Sequence, residues 1–300
     1  MTKNKPPAPK TAGRASAGAA ASSRRRASRP VPETPDVDLI YGLHPAEEAL
    51  RNPRRRIRQV LATRNAANRL ADLLAARGIE PEIVNPKEIA RRLSPDAVHQ
   101  GVLLLADPLP RPGLEDIPLA DDTLLVLLDQ VTDPHNVGAI LRSACAFGAA
   151  AVVTTTRHAP RGSPVMLKAA SGAMEHVPLV QVTNLARAIE SLKAKGCTVL
   201  GLDSEAPGRL GCGMALSGPV ALVLGAEGKG LRQKTRGLCD ALVRLDMPGP
   251  IRSLNVSNAA AVALFAIVES RRMQNRMAPN VHEPDEQIQP GMENSEGERP

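Results

Sequence analysis

Aromatic side chains are almost missing from this chain: its 300 residues include no Trp, one Tyr (Tyr41) and two Phe (Phe147 and Phe265). The core must therefore be built from Leu, Val, Ile and Ala, and a nucleic-acid partner cannot rely on bases stacking against an aromatic platform. Cysteine is scarce as well. Cys145, Cys197, Cys212 and Cys239 are scattered, with no C-x-x-C spacing and no His at metal-ligand distance, so neither a zinc module nor a disulfide framework is indicated. They read as reduced packing residues of a cytoplasmic protein. Long apolar runs are absent too: Ala259–Val268 is among the longest and falls well short of the roughly 20 residues that cross a bilayer, so no membrane span is expected.

Positive charge is what the chain has in excess. A net charge of +7 favours a polyanionic partner, because Lys and Arg that neutralise phosphates release condensed counterions. Residues 1–36 are rich in Pro, Ala, Ser, Lys and Arg and include the run Arg24–Arg26; they are expected to form a disordered basic arm, either a solvated tail or an arm that touches phosphates. The Arg- and Ser-rich start is similar in composition to a transit peptide, but Pro6, Pro7 and Pro9 interrupt any amphipathic helix there, and no apolar run suits a secretory signal.

The length suggests two domains plus tails. From residue 37 to 107 the pattern predicts a small α/β domain: a helix around Pro45–Leu50, a strand Ile57–Ala62, a helix Ala66–Ala76 closed by Gly78, a strand Glu82–Val84, a helix Pro86–Leu93 and a strand Val102–Ala106. Pro108, Pro110, Pro112 and Gly113 mark a linker over 108–121. Residues 122–273 alternate regularly. Strands are expected at Leu124–Asp129, Ala151–Thr155, Leu179–Val182, Thr198–Leu202, Ala221–Gly225 and Leu242–Leu245. Helices are expected at Val137–Phe147, Val165–Ala173, Leu185–Lys195, Leu231–Cys239 and Asn258–Met273. Near-continuous Val/Leu strands between helices imply a mostly parallel sheet covered on both faces. Residues 274–300 turn polar and acidic and are expected to form a second disordered tail.

Ligands of open α/β sheets bind beyond the carboxyl ends of the strands, and three segments stand out there. Asp129-Gln130-Val131-Thr132-Asp133-Pro134-His135-Asn136-Val137-Gly138 leads into a helix carrying Arg142. Gly225-Ala226-Glu227-Gly228-Lys229-Gly230 follows the fifth expected strand, and residues 247–258, from Met247 to Asn258, open the last helix. Each has a plain structural reading as well. Asn136 could cap its helix, Arg142 could be solvated, Ser257 and Asn258 could cap the last helix, and Ser253 and Asn255 could be turn formers. A phosphate loop is excluded because Gly230 and Leu231 follow Lys229 where Ser or Thr is required, and no G-x-G-x-x-G follows the first expected strand.

Together the three segments resemble the SpoU/TrmH branch of the SPOUT methyltransferases. Asn136-Val137-Gly138 with Arg142 is similar to the first family motif, Leu224-Gly225-Ala226-Glu227-Gly228 to the second, and Ser253-Leu254-Asn255-Val256-Ser257 to the third. Tyr41-Gly42-Leu43-His44 and Val98-His99-Gln100-Gly101 resemble the small substrate-binding domain of 23S rRNA guanosine 2′-O-methyltransferases, so the likeness spans roughly residues 38–272. Asp246 departs from the pattern, standing where the family often has Pro, and Pro248 and Pro250 stiffen the third loop.

The resemblance implies an α/β SPOUT domain with a parallel sheet and a deep trefoil knot, a small N-terminal α/β RNA-binding domain, and a homodimer. It implies S-adenosylmethionine as methyl donor, held by backbone at Gly225, Leu245 and Leu254 with Met247 as apolar lining, and no metal. Arg142, Asn136, Glu227, Ser253 and Asn255 are the implied catalytic set. The implied reaction is methylation of a ribose 2′-hydroxyl in RNA, foremost a guanosine in the peptidyl-transferase P loop of 23S rRNA. Transfer RNA as substrate, or a non-catalytic role in ribosome assembly, stand as alternatives. Gly225, Gly228, Gly230 and Gly249 are expected where backbone approaches a ligand closely or takes positive φ.

Overall fold

The computed structural model describes residues 37–156, 163–211, 214, 216–250 and 253–277. The basic arm, most of the acidic tail, Cys212, and Ile251 and Arg252 of the third segment lie outside them.

The first sheet is built from β1 (Asp38–Tyr41), β2 (Ile57–Ala62), β3 (Glu82–Ile83) and β4 (Val102–Ala106), in the order β1-β4-β2-β3. It is mixed: β4 runs antiparallel to both β1 and β2, and β3 runs parallel to β2. Helices α1 (Leu43–Arg51), α2 (Arg64–Arg69), α3 (Ala71–Ala76) and α4 (Pro86–Arg91) complete it. Thr63 and Asn85 cap α2 and α4 by accepting the backbone N–H groups of Ala66 and Glu88. The single helix expected at Ala66–Ala76 instead starts at Arg64 and breaks at Leu70, which leaves helical geometry (φ −101, ψ 6) as its side chain becomes fully buried. Burial decides here, with no Gly or Pro to announce the break.

The second sheet holds β5 (Leu124–Asp129), β6 (Ala151–Thr155), β7 (Leu179–Val182), β8 (Thr198–Leu202), β9 (Gly208–Arg209), β10 (Val220–Gly225) and β11 (Ala241–Arg244). Every pairing is parallel, in the order β7-β6-β5-β10-β8-β11-β9. The connecting helices are α5 (Pro134–Ala146), α6 (Pro164–Ala170), α7 (Leu185–Ala194), α8 (Gln233–Leu238) and α9 (Val256–Met277). Successive strand residues point to opposite faces, so Leu124, Val126 and Leu128 join the core that includes Ile140, Met166 and Leu264. Leu125 and Leu127 join the core with Leu185, Ile189 and Leu192 of α7. Burial on both faces is why these strands read as unbroken apolar runs.

Two short strands, β1 and β9, escape the sequence pattern. The helix expected at Val165–Ala173 stops at Ala170 because Ser171 (φ 51) and Gly172 (φ 90) turn the chain left-handed, and Ala173–Glu175 continues as a 3-10 turn. Helix α9 runs four residues past the expected Met273, into the stretch assigned to the acidic tail.

At one end of the parallel sheet the strands leave chain order. β11 lies between β8 and β9, and the chain returns from β9 to β10 along the second half of α9. There Ser270 donates to the Gly211 carbonyl (2.9 Å), and Gln274 accepts from the Leu216 N–H (3.3 Å) and donates to the Met214 carbonyl (2.7 Å). Arg271 donates to the carbonyls of Asp122 (2.6 Å) and Gly218 (2.7 Å). The last helix is thus tied to the entries of both β5 and β10.

Candidate active site

The three segments gather at the carboxyl ends of β5, β10 and β11. Asp129 ends β5, is fully buried, and lies opposite Gly225 in the sheet register. Its carboxylate accepts the Arg232 backbone N–H (3.0 Å) and Nε (2.6 Å), which fastens the start of α8 to the end of β5. Between β10 and α8 the chain folds back on itself, with the Gly230 N–H donating to the Ala226 carbonyl at 2.8 Å. A Cβ at Gly225 would lie 2.2 Å from the Gly230 carbonyl carbon. Glycine is therefore required at 225 by its own loop. Gly228 (φ 75) and Gly230 (φ 63) take the left-handed conformation, as expected, whereas Gly249 does not take positive φ. Glu227 stands exposed in this loop.

Beyond β11, Leu245 packs against the core and Met247 is half-buried. Asp246, the departure from the family pattern, receives Arg209 (3.1 Å) and Arg244 (3.4 Å), and Arg244 also donates to the carbonyls of Ala206 (2.6 Å) and Pro207 (2.8 Å). An ionic clamp thus ties the third loop to the 203–207 loop. Ser253 is exposed, and Leu254 is an exposed large apolar residue at 41%. Asn255 is the N-cap of α9: its side-chain oxygen accepts the Ser257 N–H (2.9 Å) and hydroxyl (2.6 Å). The alternative that Ser257 or Asn258 caps this helix is corrected accordingly.

These loops suit S-adenosylmethionine. Among the described residues, and apart from each glycine and its chain neighbours, no atom lies within 4 Å of the position a Cβ would take at Gly228, Gly230 or Gly249, so backbone is open to a ligand there. Met247 and Leu254 offer apolar surface for an adenine ring. Among the described residues no group of three or more His, Cys, Asp or Glu could hold a metal ion.

The first motif divides. Asp133, not Asn136, caps α5, accepting the N–H groups of His135 (3.3 Å) and Asn136 (3.0 Å), with Pro134 in the first turn. Asn136 is buried within that first turn. Arg142 follows six residues later, about one and two-thirds turns and roughly 9 Å along the axis. It therefore lies on a different face of α5 from Asn136. There it lines a cleft of about 370 Å³ with His44 and Glu48 of α1, Cys145 of α5, Ser171 and His176. None of Asn136, Glu227, Ser253 and Asn255 is among the residues lining this cleft. Within it, His176 Nε2 meets Glu48 at 2.7 Å, which holds the Glu48 carboxyl below its usual range, and Arg51 pairs with the same carboxylate at 2.6 Å.

Sequence reasoning missed what fastens the two walls of this cleft. Arg55 is fully buried; its Nε and Nη2 donate to Glu175 (3.0 and 2.7 Å), and its Nη1 donates to Asp38 (2.7 Å) and the Asp107 carbonyl (2.9 Å). Asn52 adds a bond to Glu175 at 2.7 Å. Gln100, with φ 52, accepts the Leu43 N–H (3.1 Å) and Lys168 Nζ (3.3 Å). The Tyr41–His44 and Val98–Gly101 motifs thus meet at the start of α1 and reach α6. Their likeness to family motifs was the available signal; a buried Arg leaves none.

A wholly parallel sheet whose carboxyl edge carries three motif loops, together with a smaller mixed sheet, is the architecture shared with solved SpoU-type RNA methyltransferases. The chain belongs to the SpoU family: residues 123–265 match the SpoU rRNA Methylase family, and residues 39–112 match the family described as RNA 2'-O ribose methyltransferase substrate binding. It is accordingly an RNA 2′-O-ribose methyltransferase that uses S-adenosylmethionine. It is 39% identical to the 23S rRNA (guanosine-2'-O-)-methyltransferase RlmB of Pseudomonas putida over 79% of this chain and 98% of that one. It is 36% identical to RlmB of Escherichia coli over 78% and 99%. Among solved structures it is similar to the SpoU methyltransferase AviRb from Streptomyces viridochromogenes in complex with AdoMet, at 26% identity and a TM-score of 0.66, covering 78% of this chain and 90% of that one.

Proposed function

We propose that this enzyme methylates the ribose 2′-hydroxyl of a guanosine in 23S rRNA, within the peptidyl-transferase P loop. The likeness to RlmB proteins over nearly their whole length carries this reading. The sulfonium of S-adenosylmethionine supplies the methyl group; the residues of the chain must position the hydroxyl in line and draw off its proton. Backbone at Gly225, Leu245 and Leu254, with Met247 beside them, holds the adenosine end. Arg142 grips the target phosphate and orients the hydroxyl, since a guanidinium keeps its protons and cannot serve as base. The exposed carboxylate of Glu227, or a phosphate oxygen, takes the proton. Asn136 holds the start of α5, Asn255 fixes the third loop through its cap, and Ser253 faces the ribose.

Arg142 and the three loops are joined in a homodimer through α9, whose Val262 and Phe265 stand exposed at helical spacing. The chain from β11 to α9 passes through the 203–219 segment as a deep trefoil knot, a reading supported by β11 lying between β8 and β9 and by the bonds of α9 to residues 211–218. The small domain over 37–107 captures the RNA, joined by the linker at 108–121 to the methyltransferase domain at 122–273. The basic arm at 1–36 and the tail at 274–300 flank them, and the protein works in the cytoplasm, where ribosomal RNA is assembled. Incubation with methyl-labelled S-adenosylmethionine and either 23S rRNA or tRNA tests the reading. Label in 23S rRNA at an alkali-resistant guanosine dinucleotide is expected; label confined to tRNA, or none, overturns it.

A further inference from the structure

The cleft at Arg142 is walled by both parts of the chain: His44 and Glu48 from α1 on one side, Arg142 and Cys145 from α5 with Ser171 and His176 on the other. Its charge is uneven. Glu48 is already paired with Arg51 and bonded to His176 Nε2, while Arg142 makes no ion pair among the described residues. The His44 side chain is 74% exposed and its nearest acidic partner, Glu47, is 3.6 Å away. The walls are also closely packed together. A Cβ at Gly172 would come within 2.6 Å of the Glu48 side chain, so α1 sits directly on the Ser171–Gly172 turn, and Glu175, next to His176, is bound to the buried Arg55. A groove with a free guanidinium on one side and the exposed, loosely paired His44 on the other suits an anionic chain, because little ordering is needed when it binds.

We propose that His44 is a substrate-contact residue: it and Arg142 hold one RNA phosphodiester adjoining the target nucleotide, so that the strand crosses from the small domain to the catalytic domain through this cleft. The inference rests on the RNA methylation reading and adds to it a contact and a path. With bases denied an aromatic platform, backbone contacts of this kind carry the positioning of the strand.

The test uses the full-length enzyme and a 23S rRNA fragment bearing one neutral methylphosphonate at each phosphate flanking the target in turn. With unmodified RNA, His44→Ala should raise the KM for RNA about tenfold, leaving kcat and S-adenosylmethionine affinity within about twofold. His44→Gln, which keeps size and a donor, should fall between. The wild type should lose more than about tenfold at one methylphosphonate position, and in His44→Ala the penalty at that position should shrink to the part that Arg142 alone supplies. An unchanged KM in His44→Ala, or a full methylphosphonate penalty retained at every position, overturns the proposal. Failure of the wild type to methylate unmodified RNA would instead strike the functional reading.

Discussion

Replacing Arg55 by Ala should be among the most damaging single changes in this protein. The guanidinium is fully buried and serves two buried carboxylates, Glu175 and Asp38, together with the Asp107 carbonyl. Removing it leaves those carboxylates uncompensated, and loss of one partner from a buried pair costs about 3–5 kcal/mol. With a urea slope of about 3 kcal/mol per molar for a chain of this size, the unfolding midpoint should fall by about 1–1.7 M. Arg272→Ala provides the control: its pair with Glu269 is exposed, so the midpoint should move by less than about 0.3 M. The pH dependence has a definite sign. Burial pushes the Asp38 carboxyl above its usual range even with Arg55 present. A carboxyl with a folded pKa above its unfolded value binds its proton more tightly when folded, so its contribution to stability is lost as pH rises through the carboxylate range. Without Arg55 this effect must grow, and the variant should be closer to the wild type at pH 5 than at pH 7. Urea titrations by circular dichroism at both pH values suffice. A midpoint for Arg55→Ala no lower than that of Arg272→Ala, or a deficit larger at pH 5, would refute the reasoning.

Three shorter expectations accompany it. Gly225→Ala should abolish S-adenosylmethionine binding by calorimetry, because its Cβ would meet the Gly230 carbonyl carbon at 2.2 Å and force the 226–230 loop open; unchanged affinity would show that this loop does not hold the cofactor. Burial pushes the thiols of Cys197 and Cys239 up to about 11, so neither should be alkylated by iodoacetamide at neutral pH in the folded protein, as peptide mass spectrometry would show. Arg142→Lys should cut single-turnover methylation by about a hundredfold or more while cofactor affinity survives, since Lys keeps the charge but loses the bidentate fork; near-normal turnover would mean that charge alone suffices.

The strands of the parallel sheet were legible because they are largely buried: Leu124–Asp129, Ala151–Thr155, Leu179–Val182 and Thr198–Leu202 coincide with Val- and Leu-rich stretches between helices. β1 and β9 were not, being formed by pairing with β4 and β11, partners distant in the chain. Helix starts followed local chemistry where a capping residue was unambiguous. In Asp133-Pro134-His135-Asn136 and Asn255-Val256-Ser257-Asn258 more than one residue could cap, and the earliest does so in each case. The three motif loops were legible as strand-end segments, whereas the cleft that Arg142 lines with His44 and Glu48 was not, because it brings together residues far apart in the chain. The Arg55–Glu175 pair joins residues 120 positions apart, and no local pattern encodes such a contact.

Mapping ribose methylation across ribosomal and transfer RNA from cells with and without this gene tests the central claim most directly. One 2′-O-methylguanosine in 23S rRNA should disappear on deletion and return with the wild-type gene but not with the Arg142→Ala variant. An intact 23S rRNA pattern in the deleted cells, with a methyl group lost from a tRNA instead, would contradict the account.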